Sequence, residues 1–281
     1  MEIFRKVSEM QAFAKNAVRE GKKIALVPTM GFLHEGHLSL IDIACRNADV
    51  VIVSIFVNPT QFGPTEDLDK YPRDFQRDKD LCEARGASAI FAPEPDEMYA
   101  PDRSIWVDEE KLSKKLCGKS RPIHFRGVCT VVSKLFNICL PDVAVFGQKD
   151  AQQALIIKRM VRDLNFPVEI IVAPLIREAN GLALSSRNKY LSDAERENAL
   201  SLSRSLRMAE DFINKGGSYK DAVSLMRDEI TACHGEIDYI ECLDADNLEE
   251  PSDNTGSVLI ALAVKFGTTR LIDNILLGVK K

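Results

Sequence analysis

Two imidazoles and two glycines fall within one short stretch of the chain, Pro28-Thr29-Met30-Gly31-Phe32-Leu33-His34-Glu35-Gly36-His37. An apolar run, Ile24-Ala25-Leu26-Val27, precedes it, and a segment with apolar residues at helical spacing, Leu38 to Ala48, follows. The histidines are therefore expected at a helix amino end. Free N–H groups and the positive end of the helix dipole make such an end a prepared place for phosphate. Gly31 and Gly36 let the backbone come close to a ligand. Imidazole N–H groups placed there could donate to non-bridging phosphate oxygens as charge builds in a transition state. The competing readings are a decorated helix start or a metal pair. Zinc wants a third ligand, and the HExxH spacing is missed by one residue.

The elements that must hold this stretch alternate. Ile24 to Val27 reads as a strand and Leu38 to Ala48 as a helix. Val50 to Val57 is a β-branched run with almost no polar residue, of the kind buried on both faces of a parallel sheet. Asp74 to Arg85 reads as an exposed helix, Ala89 to Ala92 as a strand, and Val128 to Cys139 as a helix with an apolar stripe. Val143 to Phe146, Gln152 to Leu164 and Val168 to Val172 continue as strand, helix, strand. The pattern predicts an α/β fold: a Rossmann-like doubly wound parallel sheet. After about Pro174 the character changes to two amphipathic helices, Asp193 to Lys215 and Tyr219 to Cys233, and two β runs, Ile237 to Leu243 and Val258 to Val264. This predicts a second, smaller α+β domain, with residues 1–175 in the first domain and 176–281 in the second.

Composition narrows the function classes. With 45% hydrophobic and 28% charged residues in 281, the chain is an ordinary globular one with enough length for a core. Lys plus Arg at 37 against Asp plus Glu at 42 gives a net charge of −5, which argues against a nucleic-acid partner held by a general basic surface. The apolar run Val258 to Val264 is far shorter than the roughly 20 residues that span a bilayer. Met1 to Met10 mixes charged and apolar residues, so no secretory signal and no membrane partner is expected. The seven cysteines are scattered without a CxxC pair, which fits a reducing cytoplasm, and Cys45, Cys129 and Cys139 read as buried small hydrophobes. Neither GxGxxG nor GxxxxGK[ST] occurs, so any nucleotide site is of another type.

His34-Glu35-Gly36-His37 after a strand of a parallel sheet resembles the HxGH motif of the nucleotidyltransferase superfamily, whose members attack the α-phosphate of a nucleoside triphosphate. Further segments agree in order and spacing: Val57-Asn58-Pro59-Thr60-Gln61-Phe62, Tyr71-Pro72-Arg73, His124-Phe125-Arg126-Gly127-Val128, Phe146-Gly147-Gln148-Lys149-Asp150 with Gln153, and Ser185-Ser186-Arg187-Asn188. Together they resemble the motif series of the pantoate–β-alanine ligase (pantothenate synthetase) family along essentially the whole chain. The resemblance implies a two-step reaction. Pantoate attacks the α-phosphate of ATP to give pantoyl adenylate and pyrophosphate, and β-alanine then displaces AMP. It also implies a cytoplasmic homodimer formed through the first domain.

The resemblance also assigns roles. His37 and His34 would stabilise the pentacoordinate phosphorus and the leaving pyrophosphate, with His37 a candidate proton donor. Lys149 would neutralise phosphate charge; a lysine at the carboxyl end of a strand faces the ligand crevice of such a sheet, although a loop lysine taken alone is usually solvated. Ser185, Ser186 and Arg187 would grip the β- and γ-phosphates. ATP would further lie along Met30, Gly31, Phe32, Leu33, Glu35, Gly36, Gly147, Gln148 and Asp150, with Ile176 and Leu184 toward adenine or ribose. Gln61 would contact pantoate and β-alanine and Gln153 pantoate, amides that both donate and accept; without the resemblance both would read as surface glutamines. The triphosphate implies Mg2+, with Asp150 and Asp78 as candidates beside it. A labile acyl adenylate needs protection from water, and the second domain is the expected lid.

One position departs from the family pattern. Ile123 stands in Pro122-Ile123-His124-Phe125 where glycine is expected, and a β-branched residue is a poor fit to positive φ. Two other readings compete with the ligase: a nucleotidylyltransferase that releases a stable nucleotide-linked product, and a nucleotide-binding sensor on a retired catalytic fold. The presence of His34, His37, Lys149, Ser186 and Arg187 argues against the sensor.

Overall fold

The structure, a computed structural model, describes residues 1–64, 66–252 and 255–278. The chain opens with β1 (Glu2–Phe4) and α1 (Val7–Arg19), then runs β2 (Ile24–Thr29), α2 (Glu35–Asn47), β3 (Val50–Ile55), α3 (Phe75–Ala84) and β4 (Ala89–Phe91). Two short helices, α4 (Pro95–Met98) and α5 (Leu116–Ser120), precede α6 (His124–Cys139), β5 (Val143–Gly147), α7 (Ala151–Asp163) and β6 (Glu169–Ala173). The remainder is α8 (Asp193–Asn214), α9 (Tyr219–Ala232), β7 (Glu236–Asp244), β8 (Ser257–Phe266) and β9 (Thr269–Gly278).

Strands β1 to β6 pair in parallel in the order β1-β4-β3-β2-β5-β6. The expected doubly wound sheet is therefore present. Residues Ile24 to Val27 of β2 and Val50 to Val53 of β3 are all buried, as befits central parallel strands covered on both faces. Leu38, Leu40, Ile41 and Ala44 of α2 pack into the same core as Ala25, Val27, Val51 and Val53. The sheet reverses its winding at β2, which has β3 on one side and β5 on the other. In open α/β sheets ligands bind outside the carboxyl ends of the strands at such a reversal. The segments that leave those two ends are Met30 to His34 after β2 and Gln148 after β5.

By contacts the chain separates into two compact units. The first comprises Met1–Ser113, Arg121–Gln148 and Gln153–Pro174, and the second Lys114–Ser120, Lys149–Gln152 and Leu175–Lys281. The second unit contains the antiparallel sheet β7-β8-β9. Its core sets Leu202 and Leu206 of α8 and Met226 and Ile230 of α9 against Ile260, Leu262 and Val264 of β8.

Five elements lie outside the expected pattern: α4 and α5, of four and five residues, and α1, β1 and β9. α1 buries only Met10, Ala14 and Ala17, a stripe too narrow and small to stand out. β1 has three residues. β9 interrupts its apolar face with buried Asp273 and Asn274, and Asp273 is matched by both nitrogens of Arg177 at 2.6 and 2.9 Å. Cys129 and Cys139 are buried as expected, whereas Cys45 is exposed near the end of α2 with its thiol 3.4 Å from the Arg85 carbonyl.

Candidate active site

The segment that leaves β2 turns through two left-handed residues, Gly31 at φ +80° and Phe32 at φ +51°. Glycine is required at the first: a Cβ there would lie 3.0 Å from Asp78 Oδ2 and 3.1 Å from Ile55 Cγ2. Phe32 keeps its strained backbone because Asp78, 1% exposed on the first turn of α3, accepts its N–H and that of Leu33, both at 2.7 Å. Arg77 adds a bond to the Leu33 carbonyl at 2.9 Å. Burial pushes the Asp78 carboxyl above the usual aspartate range, against the pull of those two N–H groups and of Arg77. Both oxygens of Asp78 thus hold the loop. Asp78→Ala is expected to lower stability by about 2 kcal/mol by leaving two buried N–H groups without acceptors, and chemical denaturation measures this.

His34 and His37 form a reciprocal cap at the amino end of α2. His34 Nδ1 accepts the Gly36 N–H at 3.2 Å, and His37 Nδ1 accepts the His34 N–H at 3.4 Å. The rings stand 4.1 Å apart between centroids and 34° from parallel. A ring nitrogen that accepts carries no hydrogen, so each neutral imidazole places its proton on Nε2 and presents a donor there. This narrows the expectation of free backbone N–H groups at the helix start. The N–H groups of His34 and Gly36 are taken by the rings and that of His37 by the His34 carbonyl at 2.7 Å. The donors suited to an anion are the ring N–H groups.

Gln61 lies on a 3-10 turn, Pro59–Gln61, and is buried. Its Oε1 accepts from Asn58 Nδ2 at 3.0 Å, and its Nε2 donates to the Met30 sulfur at 3.2 Å, so the two sequence candidates Met30 and Gln61 are brought together. Its carbonyl accepts from Arg121 at 3.2 Å and lies 3.0 Å from His124 Nδ1. Gly127 lets α6 approach this turn: a Cβ there would sit 2.4 Å from the Thr60 carbonyl oxygen and 2.7 Å from Gln61 Cα. Ile123 has φ −93°, an ordinary right-handed backbone, so the position does not require glycine. Gln153 lies half-buried on the first turn of α7.

Glu66 and Arg121 brace the same turn with two bonds of 2.6 Å. Burial raises the Glu66 carboxyl, but Arg121 outweighs it and leaves the group below its usual value of 4.5. A carboxyl depressed on folding stabilises the fold above its unfolded value and loses that contribution as pH falls through its folded value. The stability difference between wild type and Glu66→Gln is therefore expected to be constant near neutrality and to shrink below about pH 4.5, as thermal melts across that range measure.

Gly147 and Gln148, at the end of β5, lie in the first unit, and the other candidates lie in the second. Lys149 Nζ is 3.8 Å from Asp150 Oδ2, and the Lys149 carbonyl accepts from Asn274 at 3.0 Å. Ile176 and Leu184 are joined by a backbone bond of 3.0 Å beside the bridge Arg177–Ala183. Ser185 caps the turn Ser186–Tyr190 by accepting the Arg187 N–H at 3.2 Å, and Ser186 is buried. Asn188 pins this turn to the Ala183 carbonyl at 3.0 Å. Asn274 is a supporting residue without a local sequence signal, because its partner Lys149 is 125 positions away.

A parallel sheet with two Nε2–H imidazoles at the amino end of the helix that leaves its reversal strand defines a phosphate-handling α/β protein of the nucleotidyl-transfer type. The family model described as pantoate-beta-alanine ligase matches residues 2–276. The pantothenate synthetase of Moorella thermoacetica is 56% identical over 282 residues, covering 99% of both chains, and that of Thermotoga petrophila is 52% identical, covering 99% of this chain and 100% of its own. The crystal structure of pantothenate synthetase from Thermus thermophilus superposes with a TM-score of 0.93 at 40% identity, covering 98% of this chain and 99% of that one. A pantoate-beta-alanine ligase from Francisella tularensis, complexed with beta-gamma ATP and beta-alanine, gives 0.83 at 36% identity, covering 98% and 97%. The chain belongs to the pantoate-beta-alanine ligase family.

Proposed function

We propose that this protein condenses (R)-pantoate with β-alanine, using ATP, to give pantothenate, AMP and pyrophosphate. The observation that carries the reading is the reciprocal histidine cap, which aims two neutral N–H donors from the helix after β2, in a chain whose family assignment spans its length.

A carboxylate oxygen of pantoate forms a bond to the α-phosphorus while the bond to the pyrophosphate oxygen breaks. His34 and His37 donate from Nε2 to phosphate oxygens as negative charge gathers on them. Lys149 neutralises the same charge, and Ser185, Ser186 and Arg187 hold the outer phosphates. Met30 to His37, Gly147 to Asp150, Ile176 and Leu184 are read as the remaining ATP contacts. Gln61 and Gln153 hold the acid. The free amine of β-alanine then forms the C–N bond while the acyl C–O bond to AMP breaks, and one proton passes from nitrogen to solvent. The second unit is read as a lid that keeps water from the anhydride.

Among the described residues no group of three His, Cys, Asp or Glu could hold a metal ion. Mg2+ fits as an ion carried by the triphosphate, for which Asp150 is the carboxylate on offer, and when bound it screens charge between phosphate oxygens. The reading includes a cytoplasmic homodimer, which light scattering tests by a mass of two chains. No helix among the described residues is long and apolar enough to cross a membrane.

The direct test incubates the protein with ATP, magnesium and pantoate, with and without β-alanine, and follows pyrophosphate and AMP separately. Pyrophosphate is expected with pantoate alone, and sustained AMP release only with β-alanine. Absence of pyrophosphate from folded protein would overturn the reading.

A further inference from the structure

The amide of Asn58, 1% exposed, joins three separate parts of the first unit. Its Oδ1 accepts from the Thr60 N–H at 3.3 Å, the Thr60 hydroxyl at 2.9 Å and the Tyr99 hydroxyl at 2.8 Å. Its Nδ2 donates to the Gly127 carbonyl at 3.1 Å and to Gln61 Oε1 at 3.0 Å. The two ends of an amide interchange by a half-turn, but a backbone N–H against one and a backbone carbonyl against the other fix which is which. That polarity is handed on. With Oε1 engaged by Asn58, the other end of the Gln61 amide is Nε2, and it rests against the Met30 sulfur at 3.2 Å. A thioether is a weak acceptor, so an incoming oxygen would replace it favourably.

We propose that Tyr99 is a positioning residue for acid binding: with Thr60 it holds Asn58 so that Gln61 meets its ligand as a donor only. The inference rests on the reading of Gln61 as a contact to pantoate and narrows it. A donor-only amide serves the carboxylate or hydroxyl oxygens of the acid. The Tyr99 hydroxyl is suited to this duty, being part of a side chain 8% exposed whose burial raises the phenol and keeps it protonated. The ring is held independently, by Phe56 at 6.3 Å between centroids and by the Arg103 guanidinium 5.2 Å from its centre. Phenylalanine preserves both contacts and removes only the donor.

The test compares Tyr99→Phe and Thr60→Val with wild type in steady-state assays that vary pantoate and ATP separately. Each variant is expected to raise the pantoate KM about five-fold, the scale of one neutral hydrogen bond, with kcat and the ATP KM within about two-fold. If Tyr99→Phe fails to fold, Thr60→Val carries the test. An unchanged pantoate KM overturns the proposal, as does a parallel rise in the ATP KM, which would indicate general loosening. In 15N-labelled wild type, the side-chain amide resonances of Gln61 are expected to shift with pantoate; resonances that stay put also overturn it. Failure of the functional reading has a different signature, namely wild-type protein without pantoate-dependent pyrophosphate release.

Discussion

Replacing His37 by alanine is expected to slow pantoate-dependent pyrophosphate release by about two orders of magnitude, the scale for one preorganised donor aimed at developing charge. The structure adds a complication, because the same ring accepts the His34 N–H and so caps α2. Losing a cap costs about 1 kcal/mol and could loosen His34, so alanine alone would mix two effects. Glutamine at His37 separates them. It is a natural partner at this third helical position and can accept the His34 N–H through its carbonyl oxygen, yet it has no ring N–H at the place of Nε2. His37→Gln is expected to melt like wild type and to remain as slow as His37→Ala in single-turnover release of pyrophosphate. Recovery of wild-type rate by His37→Gln would show that the value of the histidine was its cap.

Gly127→Ala is the second large effect. The added methyl would lie 2.4 Å from the Thr60 carbonyl oxygen and 2.6 Å from its carbon, and both are backbone atoms that no rotamer change can move. α6 and the Pro59–Gln61 turn must separate, which also stretches the Asn58 bond to the Gly127 carbonyl. The expected cost is about 3 kcal/mol of stability, the upper range for overpacking a tight contact, together with loss of pantoate affinity beyond that of either hydroxyl variant. Denaturant midpoints and the pantoate KM measure the two parts. A variant of wild-type stability and affinity would mean that the turn has slack these distances deny.

The parallel sheet was legible because its central strands are apolar without alternation, and Ile24 to Val27 and Val50 to Val53 announce burial on both faces by composition alone. The histidine stretch was legible for a related reason: its residues are contiguous, and a strand and a helix bracket them. The turn that carries Gln61 was not. Its geometry depends on Tyr99, Arg121, His124 and Gly127, all remote in the chain, and only the fold brings them to it. The hold of Asp78 on the loop was hidden on the same account, since the two N–H groups it accepts lie more than forty positions away. β9 escaped because Asp273 and Asn274 look like surface residues unless the partner Arg177, nearly a hundred positions away, is known.

The histidine cap also bears on how this protein can be engineered or can drift. Serine, threonine, aspartate and asparagine are the usual residues at a helix start and commonly firm up a fold when introduced there. On the proposed reading that route is closed at His34 and His37, because the atoms that close the helix belong to the rings whose far nitrogens are assigned to the phosphates. A variant selected only for heat resistance is free to exchange the pair for stronger caps, and the sturdier protein that results would have given up its chemistry. Screens for robustness in this chain must therefore be run under selection for turnover.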